Sequence, residues 1–147
     1  MDIVATYRFA AAVEEVWSLL MDPNIIATCL PGCRGLKFLG DDRYQTDLVI
    51  GVAAVSGTFA TAIALVDKVP PEAYRLNVEA TGKSGFARGS ATIALSPVDG
   101  VTTAVTVSAH AEVGGLVARV GQRLLEGVAR MTMDRFYECL AKRVVRA

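Results

Sequence analysis

The last third of the chain constrains its fold most strongly. After a Gly-Gly pair, residues 116–146 contain no proline and are patterned for a helix. Apolar residues recur there at three- and four-residue intervals, which places them on one helical face. The members of this stripe are Val117, Val120, Leu124, Val128 and Met131. At 1.5 Å per residue, the sequence predicts one long C-terminal helix of roughly 45 Å.

Most of the preceding chain is patterned for strands. An N-terminal strand around residues 3–9 is followed by apolar residues at helical spacing from Val13 to Leu20, and a second short helix is predicted at 24–29. Short turns between the later segments favour antiparallel neighbours. Six strands are predicted at 34–39, 43–51, 55–69, 74–83, 86–96 and 101–113. The prediction is an α+β fold in which the long helix covers one face of a six-stranded, curved antiparallel sheet.

Length and composition bound the class of protein. A chain of 147 residues with 52% hydrophobic residues is expected to form one soluble domain over residues 1–147. Its longest apolar run, from Leu48 to Val55, is far shorter than the roughly 20 residues that span a bilayer. The N-terminus has no basic region followed by an apolar stretch, so a secretory signal is not evident. These features predict a cytoplasmic protein.

Strand alternation predicts which side chains face the helix. On strands three to six of this series, much of that inner face consists of alanine and glycine, for example Ala87, Gly89 and Ala91. Small residues on a curved sheet leave volume that a packed core would normally fill. An internal cavity is therefore predicted. The alternative is that Leu124, Val128 and Met131 fill that volume.

The predicted lining of this cavity is apolar, with a few hydroxyl groups. Tyr44, Thr46 or Thr61 is predicted to donate a hydrogen bond to a carbonyl oxygen of a neutral, elongated ligand. The remaining predicted ligand-binding residues are Leu48, Phe59, Ile63, Leu76, Val78, Ala91, Val107, Ala109, Val120, Gly121, Leu124, Val128 and Met131.

One predicted hairpin tip, Val52, Ala53, Ala54 and Val55, carries no polar side chain. An apolar loop is unusual where water is expected, so contact with a membrane or a partner is predicted. The alternative is a tip covered by the protein's own helices or by a second copy.

From residue 116 onward the chain has seven basic and three acidic side chains, so its net charge there is +4. Such a charge would attract anionic lipids or an acidic partner. The alternative is a solvated helix face.

Other chemistry has little support. Cys29, Cys33 and Cys139 lack the spacing of a metal site or a disulfide framework, and buried free thiols are expected, with a Cys29–Cys33 redox pair as the alternative. His110 falls on the outward face of its strand, so no catalytic residue is predicted. The modest basic charge has no aromatic platform beside it, which argues against nucleic-acid binding.

Several motifs, in this order, resemble those of the CoxG family of carbon monoxide dehydrogenase subunits, within the START-like helix-grip superfamily. The resemblance spans nearly the whole chain, and its most specific pieces are Leu-Pro-Gly-Cys at 30–33 and the Gly-Gly pair before the last helix. The matching segments are Val16-Trp17 with Leu20 and Asp22-Pro23, Leu30-Pro31-Gly32-Cys33, Gly51 with Gly57-Thr58-Phe59, Gly85-Phe86 with Gly89, and Val113-Gly114-Gly115-Leu116.

The resemblance implies a helix-grip fold and a non-catalytic accessory protein of a molybdenum hydroxylase such as carbon monoxide dehydrogenase. It also implies membrane recruitment of that enzyme and binding of a hydrophobic molecule, a quinone or a lipid, with no covalently bound cofactor and no metal. The location would then be peripheral, at the inner face of the membrane. The alternative is a polyketide cyclase- or hydrolase-like enzyme on the same fold, because fold alone does not determine function.

Overall fold

A computed structural model describes residues 1–51 and 55–144. The described chain forms three α-helices and a seven-stranded sheet, with a 3₁₀ helix before the last α-helix. In chain order the elements are β1 (Asp2–Phe9), α1 (Val13–Met21), α2 (Pro23–Cys29), β2 (Cys33–Gly40), β3 (Arg43–Ile50), β4 (Gly57–Val69), β5 (Ala73–Gly82), β6 (Gly85–Asp99), β7 (Thr102–Gly114), the 3₁₀ helix (Leu116–Val120) and α3 (Gln122–Lys142).

All seven strands belong to one antiparallel sheet in the order β1-β7-β6-β5-β4-β3-β2. The six predicted strands follow one another as a meander, and the N-terminal strand adds a seventh by pairing with β7 from Asp2 opposite His110 to Phe9 opposite Thr103. The two short helices carry the chain from β1 to the far edge of the sheet, where β2 begins. The predicted helix-grip arrangement is confirmed.

The register of the sheet confirms the predicted inner face. Tyr44 on β3 lies opposite Ile63 on β4, and Ile63 lies opposite Val78 on β5. Val78 in turn lies opposite Gly89 on β6, and Gly89 opposite Ala111 on β7. Because successive side chains on a strand alternate between faces, this one row fixes the inward residues of five strands.

The junction between the two short helices follows from local chemistry. The side chain of Asp22 accepts a hydrogen bond from the backbone N–H of Asn24 at 2.9 Å, so Asp22 is the N-cap of α2. Pro23 occupies the first turn of α2, where its missing N–H costs no hydrogen bond. The chain therefore ends α1 at Met21 and starts α2 almost immediately.

The best-packed part of the core lies where α1, α2 and the second half of α3 cover the sheet. Phe9, Val16, Ile93 and Leu140 are almost completely buried there. Each such side chain contributes about 1.5–3 kcal/mol relative to an exposed one. Thr103 is the polar member of this region, and its hydroxyl donates to the Ala11 carbonyl at 2.8 Å, which satisfies the buried group.

The predicted single helix over residues 116–146 is wrong in two respects, because it is broken at Gly121 and its last α-helical residue is Lys142. The 3₁₀ helix ends at Val120, and α3 begins only at Gln122. Between them, Gly121 has φ +97° and ψ 149°, a conformation that a right-handed helix cannot contain and that glycine tolerates best. Gly121 is therefore the N-cap of α3 instead of a member of its apolar stripe. Residues 145 and 146, which the prediction included, lie outside the described residues.

The expectation of three free thiols is also wrong. Cys29 at the end of α2 forms a disulfide with Cys139 of α3, with their Cα atoms 5.4 Å apart. Cys33 is a free, half-buried thiol, so the alternative Cys29–Cys33 pair is wrong as well. The two bonded residues are 110 positions apart in sequence, so spacing alone gave no indication of their contact.

Candidate ligand-binding groove

Two separate apolar clusters hold the helices against the sheet. The first cluster lies at the end of the sheet covered by α1, α2 and the second half of α3, and includes Phe9, Tyr74, Ile93, Tyr137 and Leu140. The second cluster lies at the opposite end and is formed by Val55, Phe59 and Val117, with partly buried residues packed around them. These surrounding residues are Ile50, Ala80, Val113, Val120, Leu125 and Val128.

The inner face of the sheet between these clusters is only half-buried. Val78, Gly89 and Ala111 form a continuous row across β5, β6 and β7, and none of them belongs to either cluster. A Cβ added at Gly89 would lie 2.7 Å from the carbonyl oxygen of His110, so no side chain fits there without a shift of backbone. We call this shallow, apolar row the interior groove.

A depression lies at the edge of the sheet, beside Ala111. Its volume is about 360 Å³, and it lies between Ala111 and Val113 of β7 and the start of α3, where Gln122 and Leu125 form its other wall. It forms where the N-terminal strand ends: beyond the pair Asp2–His110, only Met1 still bonds to β7, donating to the Ala111 carbonyl at 3.1 Å and accepting from the Ala111 N–H at 2.9 Å. Its complete lining is Met1, His110, Ala111, Glu112, Val113, Ala118, Gln122 and Leu125. Ala111 belongs both to this lining and to the interior groove, so the depression lies beside one end of the groove.

Helix α3 packs Val128 of the predicted stripe on the second cluster but has Leu125 in the place predicted for Leu124. Leu125 and Val128 pack on the second cluster, whereas Leu124 is 38% exposed. The prediction for Leu124 is wrong because the break at Gly121 restarts the helix and changes its phase relative to residues 117–120. Gly121 is exposed, and no atom lies within 4 Å of a Cβ added there. Neither residue lines the groove.

The predicted hydroxyl donors are largely occupied by the protein itself. The Thr46 hydroxyl donates to the Arg34 carbonyl at 3.0 Å, and that of Thr61 donates to the Phe59 carbonyl at 3.0 Å. Burial, followed by the nearby carboxylates of Asp42 and Asp22, raises the pKa of Tyr44. The Tyr44 ring packs against that of Phe38, with centroids 5.2 Å apart.

The other predicted site residues fall into three groups. Tyr44, Ile63, Leu76, Ala91 and Val107 belong to the first cluster or pack against it. Phe59, Val120 and Val128 belong to the second cluster or pack against it. Half-buried between or beside the clusters are Leu48, Val78, Ala109 and Met131.

The predicted membrane or partner contact at the hairpin tip is only partly described. Val52, Ala53 and Ala54 lie outside the described residues. Val55 is 4% exposed and belongs to the second cluster with Phe59 and Val117. The prediction of an exposed Val55 is wrong, because this side chain is covered by the protein itself.

Two buried tyrosines of the first cluster were not among the predicted site residues. Tyr74 is 4% exposed and Tyr137 is 5% exposed. Tyr74 lies on the predicted inner face of β5, so the strand pattern could have identified it. Tyr137 had no such signal, because the apolar stripe read from the sequence ends at Met131.

Charged pairs lie outside the interior groove. On the outer face of the sheet, His110 Nδ1 lies 2.6 Å from Asp2 Oδ1, as expected for an outward histidine, and Arg88 pairs with Glu112 at 3.8 Å.

Within residues 1–51 and 55–144, no group of three or more His, Cys, Asp or Glu side chains is arranged to hold a metal ion. Across the same residues, no helix combines the length and apolar character needed to cross a bilayer.

Solved structures reproduce this architecture. A conserved protein from Geobacillus kaustophilus is 40% identical, with a TM-score of 0.94 over 97% of this chain and 94% of that one. A START superfamily protein from Mycobacterium smegmatis is 15% identical, with a TM-score of 0.74 over 97% and 96% of the two chains. A protein from Chromobacterium violaceum is 18% identical, with a TM-score of 0.69 over 99% and 98%. The last two show the fold alone.

Sequence comparison identifies the family. No curated protein matches the chain. The family model for the CoxG subunit of carbon monoxide dehydrogenase, by contrast, matches residues 6–145, which is nearly the whole sequence. With its START-like fold, the chain therefore belongs to the CoxG family of carbon monoxide dehydrogenase subunits.

Proposed function

We propose that this protein is a non-catalytic accessory protein of a molybdenum hydroxylase of the carbon monoxide dehydrogenase type, and that it carries a neutral, apolar molecule in the interior groove. The family match supports the enzyme partner. The observation that carries the ligand proposal is the half-buried row Val78, Gly89 and Ala111 between two separate apolar clusters.

The chemistry of the groove favours a neutral guest. Its floor is valine, glycine and alanine, and Leu125 and Val128 approach from α3. Transferring a charged group into such surroundings without a partner is costly, whereas an apolar ring or chain gains free energy in proportion to the area that it buries. A quinone or a lipid tail has the required character.

Native mass spectrometry tests the carrier function. The protein is extracted mildly from cells that make the partner enzyme, and bound small molecules are identified by their mass. Val128→Trp is expected to abolish the co-purified molecule, because Val128 points inward. Leu124→Trp is the matched control and should retain it, because Leu124 is 38% exposed. If the wild-type protein carries no apolar molecule, or the folded Val128→Trp variant still carries it, the groove is not the site.

We also propose that the end of the molecule near the 3₁₀ helix contacts an anionic membrane on the cytoplasmic side. Leu116 is 61% exposed and Phe86 is 39% exposed. The two are held near each other because the N–H of Val117 donates to the Ser84 carbonyl at 2.8 Å, which joins the β5–β6 turn to the 3₁₀ helix. Two exposed apolar side chains at one end can enter the boundary between headgroups and acyl chains.

Basic side chains accompany this apolar end. Lys83, Arg119 and Arg123 lie in the β5–β6 turn, the 3₁₀ helix and the first turn of α3, and they have no ion pair in the described part of the chain. The first turn of α3 contains no acidic residue, although acidic residues are favoured at that end of a helix dipole. Bases placed there lower helix stability and raise the attraction for an external anion. We call Leu116, Phe86, Lys83, Arg119 and Arg123 the basic apolar tip.

A further inference from the structure

The backbone of β7 loses its partner strand inside the depression beside Ala111. The Met1 amine donates to the Ala111 carbonyl at 3.1 Å, and the Ala111 N–H donates to the Met1 carbonyl at 2.9 Å. Because backbone groups on a strand point alternately to its two neighbours, the N–H and C=O of Val113 point to the same side as those of Ala111. The pairs of β1 with β7 end before Val113, and its N–H has no hydrogen-bond partner among residues 1–51 and 55–144.

This free N–H borders a depression with both apolar and polar walls. The volume of about 360 Å³ is lined on its apolar side by Ala111, Ala118 and Leu125 and includes Glu112 among its polar members. A donor at such a site can exchange a water molecule for a ligand oxygen without breaking any bond in the protein. The Val113 N–H is therefore an available donor for a molecule that enters the depression.

The free edge at Val113 suits a small molecule and not an added strand. The backbone groups of Gly114 point to β6 by the same alternation, and the chain leaves the sheet at Gly115, where φ is +78°. Between Ala111 and this turn, Val113 is thus the one described residue that presents its backbone to the open side. Strand addition by a peptide depends on a series of main-chain hydrogen bonds, which one residue does not offer.

The same residue also borders the interior groove. The Val113 side chain packs on the second cluster. Ala111, two residues earlier on the same face of β7, lies in both the groove and the depression. Two residues of a strand span about 7 Å. A molecule whose apolar body lies over Ala111 and Gly89 can therefore place an oxygen at its end against the Val113 N–H.

We propose that the Val113 N–H donates a hydrogen bond to a carbonyl oxygen at the outer end of a neutral ligand, whose apolar body lies over Ala111 and Gly89. This inference rests on the proposed carrier function and adds the chemical class and the position of the ligand's polar end. A hydrocarbon end would displace water from the N–H and leave it unpaired. A carboxylate end is disfavoured, because the Val113 C=O points to the same side and Glu112 lines the same depression.

Two probes of the same shape measure the contribution of the carbonyl. Fluorenone carries a carbonyl group where fluorene carries a methylene group. Equilibrium dialysis gives the affinity of the protein for each probe. Because the two probes differ in hydrophobicity, the ratio of their affinities is compared between variants and not judged within one of them.

Val113→Pro removes the donor and keeps an apolar side chain. Proline is tolerated on an edge strand where its missing N–H faces away from the sheet, so this variant should unfold near the wild-type midpoint. It should lower the ratio of fluorenone to fluorene affinity by about three- to tenfold. Val113→Ala is the matched control, because it trims the same side chain and keeps the N–H. Its ratio should equal that of the wild type, even where both affinities fall.

Nuclear magnetic resonance with isotope-labelled valine tests the same bond without any substitution, and so decides the matter if Val113→Pro does not fold. Val105 and Val107 are internal controls, because their N–H groups share the alternation of Val113 but face β1. In the free protein, the Val113 amide should exchange with solvent faster than both. Fluorenone, but not fluorene, should slow this exchange and shift the Val113 amide proton downfield. The resonance that is missing from Val113→Ala identifies Val113.

The outcomes separate this inference from the carrier function. Exchange of the Val113 amide as slow as that of Val105 and Val107 in the free protein would show that its N–H is already bonded, and would overturn the inference. A ratio that folded Val113→Pro leaves unchanged, or a Val113 resonance that both probes shift equally, would also overturn it while leaving an apolar carrier in place. Binding of neither probe would count against the interior groove and so against both proposals. A ratio lowered by Val113→Pro and not by Val113→Ala, with a shift specific to fluorenone, supports both.

Discussion

The disulfide between Cys29 and Cys139 ties the end of α2 to the second half of α3. That half of α3 also stacks Tyr137 on Tyr7 and accepts the Tyr7 hydroxyl at Asp134. The first half of α3 has no comparable attachment in the described residues and contacts the sheet through Leu125 and Val128 in the smaller second cluster. Movement that widens the interior groove is therefore expected at the start of α3, beside the depression lined by Gln122 and Leu125.

Breaking this disulfide should lower stability without removing the fold. In the chain-entropy account, a link that closes a loop of 110 residues stabilises by restricting the unfolded chain, typically by about 2–4 kcal/mol. Cys139→Ser should lower the free energy of unfolding by about that amount, as measured by urea denaturation under oxidising conditions. Cys33→Ser, which removes the free thiol, is the control. Equal stability of Cys139→Ser and oxidised wild type would mean that the link contributes nothing.

The sequence predicted the sheet well and the start of α3 poorly, for different physical reasons. Alternation has a period of two, so the inward residues of a strand such as Tyr74, Leu76 and Val78 follow from any one of them. A helix stripe is less certain because it assumes unbroken periodicity. The predicted apolar stripe assumed a continuous helix through Gly121. The backbone conformation of Gly121 interrupts that helix, so Leu124 lies on a different side from the one predicted.

Contacts between residues distant in sequence could not be derived from local patterns at all. The Cys29–Cys139 bond and the stacking of Tyr7 on Tyr137 depend on how α3 lies across the sheet, which only the three-dimensional structure determines. The inward placement of the small residues Gly89 and Ala111 followed from strand alternation, whereas the internal cavity that they were taken to leave stays a prediction. The depression beside Ala111, in contrast, depends on where the N-terminal strand ends its pairing with β7.

A pair of glycine substitutions tests the break before α3. Neither Gly121 nor Gly127 has any atom within 4 Å of an added Cβ, so alanine at either position acts through the backbone alone. Gly127→Ala should stabilise the protein by about 0.5–1 kcal/mol, because glycine weakens a helix interior. Gly121→Ala should destabilise it by about 1–3 kcal/mol, because φ is +97° there.

Thermal unfolding of both variants gives the measurement. A continuous helix through residue 121 would make both alanine variants more stable than the wild type. Opposite signs of the two changes would support the break, and stabilisation by Gly121→Ala would contradict it.

The surface pair of Asp2 and His110 should make the attachment of β1 sensitive to acid. An ionised carboxylate can only accept, so His110 Nδ1 donates to Asp2 Oδ1, and this hydrogen bond followed by the charge of His110 lowers the pKa of Asp2. In the unfolded chain Asp2 has its ordinary, higher pKa, so the unfolded state binds more protons in the interval between the two values. The stabilising effect is therefore present above about pH 4 and is lost as the pH falls through the lowered value.

Asp2→Asn isolates this contribution. The difference in melting temperature between wild type and Asp2→Asn should be present at about pH 5–6, where the carboxylate is ionised in both states, and should disappear in stronger acid. High salt should also reduce it, because both side chains are exposed. Asp47→Asn on the outer face serves as the control. A difference that stays constant with pH would show that the carboxylate charge is not responsible.

The basic apolar tip predicts membrane binding that depends on both charge and apolar contact. Arg119→Glu combined with Arg123→Glu should weaken binding to vesicles of phosphatidylglycerol and phosphatidylcholine by at least about tenfold, since each base near an anionic surface contributes about 1 kcal/mol. Leu116→Asp should weaken binding as well by removing the side chain that enters the lipid boundary. Sedimentation with the vesicles measures the bound fraction.

Arg43→Glu combined with Arg75→Glu is the control for net charge. These two bases lie on the outer face of the sheet, and the double substitution changes the net charge by the same amount as the tip variant. If binding depends on the tip, the control should retain most of the wild-type affinity and only the tip variant should lose it. An equal loss in both double variants would mean that the vesicles respond to total charge, and the tip would then have no specific role. Binding to pure phosphatidylcholine should be weak for every variant, because the attraction between the tip and the membrane requires anionic headgroups.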